Sequence, residues 1–347
     1  MKKLLGAVKE ALVVEELEPF VETHVKAIAN EADIRVKIHG KDLLPVVGEL
    51  STRKVTEALA SLTKSKSPVN FSELDRLNQD IASLLPLRPP TLCPGCPHRS
   101  SQYAMKVAGR RVAREIGKDI EAVYTGDIGC YTLSYLPPLE SMDTTICMGA
   151  SFGVANGLAH VIDTPIIAQL GDSTFFHSGI APMINAVFNN AKITMVVLDN
   201  TATAMTGFQP HPGTGYTALG EKSPMIKPED VAKACGVKSV EVVDPFDFKK
   251  AVDVFERAIR FDGPSVVVLK RPCAMIEQRM KKERGEAIVP CLVDQEKCDA
   301  RCGACIKLLG CPAIIKEDGR VVIDASLCTG CGLCAYVCPH KAIVSKR

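Results

Sequence analysis

Between Ile166 and Gly215 the sequence reads IIAQL-GDSTFFHSGIAPMINAVFNNA-KITMVVL-DN-TATAMTGFQPHPGTG. Ile166–Leu170 and Ile193–Leu198 are short apolar runs, and the residues between them follow a helical pattern of apolar and small side chains. Two parallel strands joined by a crossover helix follow from that order, which is a βαβ unit. Such units bind ligands outside the carboxyl ends of their strands. Gly171-Asp172-Ser173 stands at the first end and Asp199-Asn200 at the second. A carboxylate from Asp172, an amide oxygen from Asn200 and a loop carbonyl near Ala202 suit a magnesium ion that shares its shell with a diphosphate. A helix opening near Ser173 would offer free N–H groups to the same phosphates. An Asp-Ser pair also caps ordinary helices. The asparagine 28 residues beyond Asp172 turns the reading toward a cofactor.

This segment resembles the thiamine-diphosphate motif, GDG followed some thirty residues later by Asn, with Ser173 in place of the last glycine. GDSTFFHSG and TGFQPHPGTG resemble the indolepyruvate (aryl-pyruvate) branch of the 2-oxoacid:ferredoxin oxidoreductases, large subunit, and the resemblance runs along nearly the whole chain. It implies an α/β fold whose centre is a doubly wound parallel sheet, thiamine diphosphate with Mg2+, and iron–sulfur clusters.

The 347 residues suffice for two or three domains, and a net charge of +2 gives no bulk argument for nucleic acid. No apolar run is long enough to span a bilayer, and the opening Met1-Lys2-Lys3-Leu4-Leu5 does not read as a signal peptide. Fifteen cysteines, many in CxxC spacing, point to metal in a reducing cytoplasm and an anaerobic setting.

Residues 1–65 read as a small α/β unit: strands at Ala11–Val14 and Ile34–Ile38, helices at Pro19–Ala29 and Ser51–Leu62. Glu15 and Glu16 read as surface acids after a strand. LVVEELEPFVE resembles the transketolase-C-like domain of the large subunit. In that family a pyrimidine-binding domain supplies the glutamate that activates the thiamine ring, so the resemblance implies a partner chain carrying that domain. It also implies a small oxidoreductase subunit, paired copies in a hetero-oligomer, and an external ferredoxin. Residues 66–90 read as a linker with a helix at Ser72–Leu84. Residues 91–277 read as the diphosphate-binding domain, with helices at Gly149–Ala159, Pro228–Gly236 and Phe246–Phe261 and strands at Val240–Val243 and Val266–Leu269. Residues 278–290, including the charged Met280–Glu286, read as a second linker, and residues 291–347 as a ferredoxin-like domain.

Cys93 and Cys96 lie in RPPTLCPGCPH, Cys130 follows Gly129, and Cys273 follows an apolar run. Spacing alone leaves iron, zinc or a redox dithiol open. The resemblance implies that Cys93, Cys96, Cys130 and Cys273 hold a [4Fe–4S] cluster beside the thiamine. Cys147 and Cys235 read as core residues. At the C-terminal end, Cys298-x3-Cys302-x2-Cys305-x5-Cys311-Pro precedes Cys328-x2-Cys331-x2-Cys334-x3-Cys338-Pro. The second run has the bacterial ferredoxin spacing, in which each run lends its last cysteine to the other cluster. One cluster then takes Cys298, Cys302, Cys305 and Cys338, and another Cys328, Cys331, Cys334 and Cys311. Cys291 is a spare that could replace Cys298.

Gly129 and Gly149 are expected against the cofactor, with Gly171, Asp172, Ser173, Asn200 and Ala202. His211, in a Pro/Gly loop, and His177, after the diphosphate turn, are the candidate catalytic residues. His98 is expected near the first cluster, and His24 and His39 at the surface. The implied reaction takes a 2-oxoacid, CoA and oxidised ferredoxin to acyl-CoA, CO2 and reduced ferredoxin through three clusters. The competing readings are a non-oxidative thiamine decarboxylase and an electron-transfer subunit with a degenerate thiamine site.

Overall fold

The computed structural model describes residues 1–85, 89–117 and 121–345. It divides into two compact units, residues 1–88 and 89–347.

In the first unit two short parallel strands, β1 (Glu10–Leu12) and β2 (Lys37–His39), flank helix α1 (Phe20–Glu31). Leu5, Val25 and Ala29 form its small core. Helix α2 (Thr52–Thr63) is capped by Ser51, whose Oγ accepts the Lys54 N–H at 3.4 Å. Helix α3 (Phe71–Ala82) starts at the cap Asn70, inside the stretch read as linker. Glu15 serves the structure, since its carboxylate accepts the N–H groups of Val21 and Glu22 at 2.7 and 2.8 Å and so satisfies the open end of α1. His39 departs from expectation. It is buried, with Nδ1 2.7 Å from Asp42 Oδ2, because β2 turns its last side chain inward.

The second unit is built on six parallel strands: β3 (Val123–Gly126), β4 (Thr144–Thr145), β5 (Ile166–Gly171), β6 (Thr194–Asp199), β7 (Ser239–Val243) and β8 (Ser265–Lys270). Their spatial order is β4-β3-β5-β6-β8-β7. Five helices cross between or precede them: α4 (Pro97–Glu115), α5 (Ala150–Leu158), α6 (Ile180–Phe188), α7 (Pro228–Ala234) and α8 (Phe248–Arg260). Alternate residues of the central strands serve opposite faces. Ile167, Val196, Leu198 and Val267 pack under α4 and α8, against Met105, Ala108 and Phe255. Ile166, Ala168, Met195 and Val197 pack under α5 and α6, against Phe152 and Met183. Burial on both faces is why these strands read as unbroken apolar runs.

Helix α9 (Ala274–Glu283) corrects the second linker, whose first half is helical: Arg271 bonds Glu277 at 2.7 Å and fixes the first turn. Beyond it come β9 (Leu292–Val293), α10 (Ala304–Leu309), the hairpin β10 (Ile314–Glu317) and β11 (Arg320–Ile323), α11 (Leu333–Val337), and β12 (Ile343–Val344), which pairs with β9. α10 and α11 each begin behind a left-handed glycine, Gly303 and Gly332, which carries the internal repeat into three dimensions. Leu309, Leu333 and Ile343 join the core cluster beneath α4 and α8, so this segment shares the second unit's core. Among the described residues no helix is long and apolar enough to cross a membrane.

Candidate functional site

The sheet reverses its winding at β3 and β5: β4 lies on one side of β3 and every later strand on the other. A cleft opens outside the carboxyl ends there, where ligands of open α/β sheets sit. It holds about 490 Å3 of space, counting its mouth. Gly129, Gly171, Asp172, Ser173, Asn200 and Ala202 all line it.

Asp172 is 2% exposed and gathers the cleft around itself. One carboxylate oxygen accepts the Ser173 N–H at 2.7 Å and the other the Asn200 N–H at 3.0 Å, so the ends of β5 and β6 are tied through one side chain. The Ser173 amide is therefore occupied by Asp172 and does not face a ligand freely. Serine stands here without strain, because the left-handed conformations lie elsewhere. One lies at Thr201, φ 60°, directly after Asn200. A β-branched residue held there is uncommon and costs energy, and such costs collect at functional loops. The turn bends the chain so that Ala202 returns to the cleft wall beside Asn200.

His98 follows the first cysteine pair, and its ring faces the cleft. It is buried, lines the cleft, and its Nε2 accepts from Asn200 Nδ2 at 3.1 Å. Burial lowers its pKa to about 4, against the pull of Asp172, so the ring is neutral and able to accept. That bond fixes which side of the Asn200 amide is oxygen. His211 is also buried. Its Nδ1 accepts the Gly213 N–H at 3.2 Å, which leaves the proton on Nε2, 3.1 Å from Asp172 Oδ2 at an angle too poor for a full hydrogen bond. The ring stacks on Phe176 at 5.8 Å. His211 thus stands behind Asp172 and is absent from the cleft lining, and His177 is exposed and absent from it as well. Gly149 supports the site at one remove. Its N–H donates to Asp127 at 2.6 Å, its φ is +90°, and a Cβ would lie 2.5 Å from Ser178 Oγ.

Sequence reasoning passed over Asp127 and gave Asp199 a place at a strand end but no role. Asp127 takes the hydroxyl of Tyr131 as well as the Gly149 N–H, and burial nonetheless raises its pKa to about 6. Asp199 is raised to about 6 by burial and then by the neighbouring charge of Asp172, with Lys270 opposing from 3.5 Å. The signal for both was their place directly at a strand end.

Cys130 forms part of the cleft wall. It shares electrostatic contact with Cys93 and Cys273, and Cys273 donates its N–H to the Asn200 carbonyl at 2.9 Å. Cys96 neighbours Cys93 across the CPGC turn, whose Gly95 adopts φ +68°. Burial pushes the Cys96 thiol up to about 12 and Cys130 to about 11, so neither is a free nucleophile. Bound iron is what would hold them as thiolates. In the C-terminal segment Cys298 neighbours Cys338 and Cys302, and Cys305 neighbours Cys338 and Cys298. Cys331 neighbours Cys311 and Cys328. Among the described residues no three His, Cys, Asp or Glu side chains meet at the spacing of a single metal ion.

Cys291 differs from expectation. It is 1% exposed, its N–H points to Cys328 Sγ at 3.4 Å, and its thiol bonds those of Cys328 and Cys334. It belongs beside the second set and is in no position to replace Cys298. Accordingly Cys298→Ser is expected to lose one cluster's iron while Cys291→Ser keeps the full complement. Iron and sulfide analysis of anaerobically purified protein distinguishes them, and equal loss from both variants would contradict the grouping.

The fold and cleft define the class: a thiamine pyrophosphate enzyme domain joined to an iron–sulfur segment. The family of the C-terminal TPP binding domain of thiamine pyrophosphate enzymes matches residues 127–269, and the 4Fe-4S binding domain matches residues 321–344. Within that class the chain is similar to the indolepyruvate oxidoreductase subunits named IorA. It is 44% identical to the subunit of Archaeoglobus fulgidus over 99% of this chain and 53% of that protein. It is 42% identical to those of Thermococcus kodakarensis and Methanothermobacter marburgensis, each over 98% of this chain and 53% of the relative. The chain spans about half the length of the curated relatives it matches.

Proposed function

We propose that this chain carries the diphosphate-side thiamine site and the electron outlet of a 2-oxoacid:ferredoxin oxidoreductase that acts on aryl pyruvates such as indolepyruvate. The reaction converts the 2-oxoacid, CoA and oxidised ferredoxin to acyl-CoA, CO2 and reduced ferredoxin, the electron pair leaving one electron at a time. The carrying observation is one cleft with Asp172 and Asn200 on one wall and Cys130 on another. A pyrimidine-binding domain, a small oxidoreductase subunit and a cytoplasmic setting complete the reading.

The residues present fit Mg2+ and a diphosphate: a buried carboxylate, an amide oxygen and the Ala202 carbonyl are hard oxygen donors at one cleft wall. Bound thiamine diphosphate supplies a carbon nucleophile and electron sink for decarboxylation of the 2-oxoacid. Asp172 is kept in place by the Ser173 and Asn200 amides, with His211 behind it. His98 stays neutral and orients the Asn200 amide. Met148, Met205 and Ile128 give the cleft an apolar side. Cys93, Cys96, Cys130 and Cys273 would hold the first [4Fe–4S] cluster. Two more would sit on Cys298, Cys302, Cys305, Cys338 and on Cys311, Cys328, Cys331, Cys334.

The test is CoA-dependent reduction of viologen by the complex purified anaerobically from its native host. Indolepyruvate, phenylpyruvate, pyruvate and 2-oxoglutarate are compared. Preference for the aryl substrates is expected. Activity with another 2-oxoacid alone would discard the substrate class, and no activity from an iron-replete complex would favour an electron-transfer subunit.

A further inference from the structure

Arg99, in the first turn of α4, is 3% exposed and is buried without a carboxylate partner among the described residues. Its Nη1 donates to the carbonyls of Leu309 and Gly310, the latter at 3.0 Å, and its Nη2 to the carbonyl of Leu92. Its Nε has no partner. A guanidinium cannot shed its proton, so this is a permanent buried cation satisfied only by neutral dipoles. Such a charge is costly unless an anion completes the site.

The neighbourhood supplies the place for one. Arg99 lines a narrow cavity of about 20 Å3 together with Cys96, Cys291, Cys311, Cys328, Cys331 and Cys334. Its three carbonyl partners directly precede cysteines of two sets: Leu92 precedes Cys93, and Leu309-Gly310 precedes Cys311. The guanidinium therefore bridges the first set to the ferredoxin segment. A four-iron cluster on four thiolates carries net negative charge, and taking up an electron increases it. A fixed positive charge at the cavity wall stabilises the reduced cluster more than the oxidised one.

We propose that Arg99 is the counter-charge of the cluster held by Cys311, Cys328, Cys331 and Cys334. It raises that cluster's reduction potential. This rests on the iron–sulfur reading above. Arg99 is a positioning and tuning residue, since its effect passes through the cluster.

The experiment is an EPR-monitored redox titration of the anaerobic complex with wild-type, Arg99→Gln and Arg99→Lys chains, each with its iron content measured. Arg99→Gln is expected to keep its iron and to show one cluster signal displaced to lower potential, with the signal of the Cys298 set unmoved. Arg99→Lys keeps the charge but cannot bridge three carbonyls, so it should melt earlier while titrating near the wild-type potential. Wild-type potentials in an iron-replete Arg99→Gln complex would overturn the proposal. If the glutamine variant does not fold, the lysine variant decides: a potential as in wild type supports the counter-charge, and a lowered one at full iron content overturns it. A wild-type complex lacking the expected iron fails the iron–sulfur reading, which is a separate outcome.

Discussion

Asp172→Asn will weaken binding of magnesium and thiamine diphosphate by at least about 100-fold while leaving the fold in place. Loss of a single supporting partner around a metal ligand already costs about 10- to 100-fold, and this change strikes the proposed ligand itself. The carboxylate accepts two amides at 2.7 and 3.0 Å and faces the Nε2–H of His211. Asparagine has the same shape but only one accepting oxygen. Its amide nitrogen must face either the Ser173 N–H or the Asn200 N–H, so a donor meets a donor in a buried place, and the hard anionic oxygen is lost to the metal as well. Equilibrium dialysis of the assembled complex against labelled thiamine diphosphate, at varied magnesium, measures the effect directly. Binding within a few-fold of wild type, with an unchanged melting temperature, would remove Asp172 from the site.

The parts of the molecule that could be read from sequence are those whose partners are close along the chain. The runs Ile166–Leu170 and Ile193–Leu198 become β5 and β6 within a residue at each end, because strands buried on both faces leave a continuous apolar signal. Asp172, Asn200 and Ala202 follow those strand ends and so share one cleft. Arg99 was invisible for the opposite reason: its partners Leu309 and Gly310 lie 210 and 211 residues away, and nothing in the letters around it signals burial. Thr201 was missed because a left-handed β-branched residue has no compositional mark. His39 was misplaced because a three-residue strand is too short to show which face it buries. His211 drew attention for its Pro/Gly loop, yet that loop carries the ring behind Asp172. Cys291 illustrates the limit of spacing. It precedes the first cysteine run in sequence but neighbours the second run, because β9 pairs with β12 and brings the two ends of the segment together.

Cys130→Ser is expected to separate cofactor binding from electron output. Cys130 lies on the cleft wall next to Gly129, and its neighbours Cys93 and Cys273 sit on the CPGC turn and after β8. A serine oxygen is a poor ligand for soft iron–sulfur chemistry, so one cluster's iron should be lost. Asp172, Asn200 and Ala202 do not depend on that side chain, so thiamine diphosphate should still bind within a few-fold of wild type. CoA-dependent viologen reduction should then fall by orders of magnitude, because the proposed first acceptor beside the cleft is gone. Two measurements on one sample, dialysis for the cofactor and iron analysis with the viologen assay for the outlet, show whether the functions divide. Full iron in the variant would remove Cys130 from the cluster. Equal loss of cofactor binding and iron would mean that the cluster holds the cleft together as well as draining it.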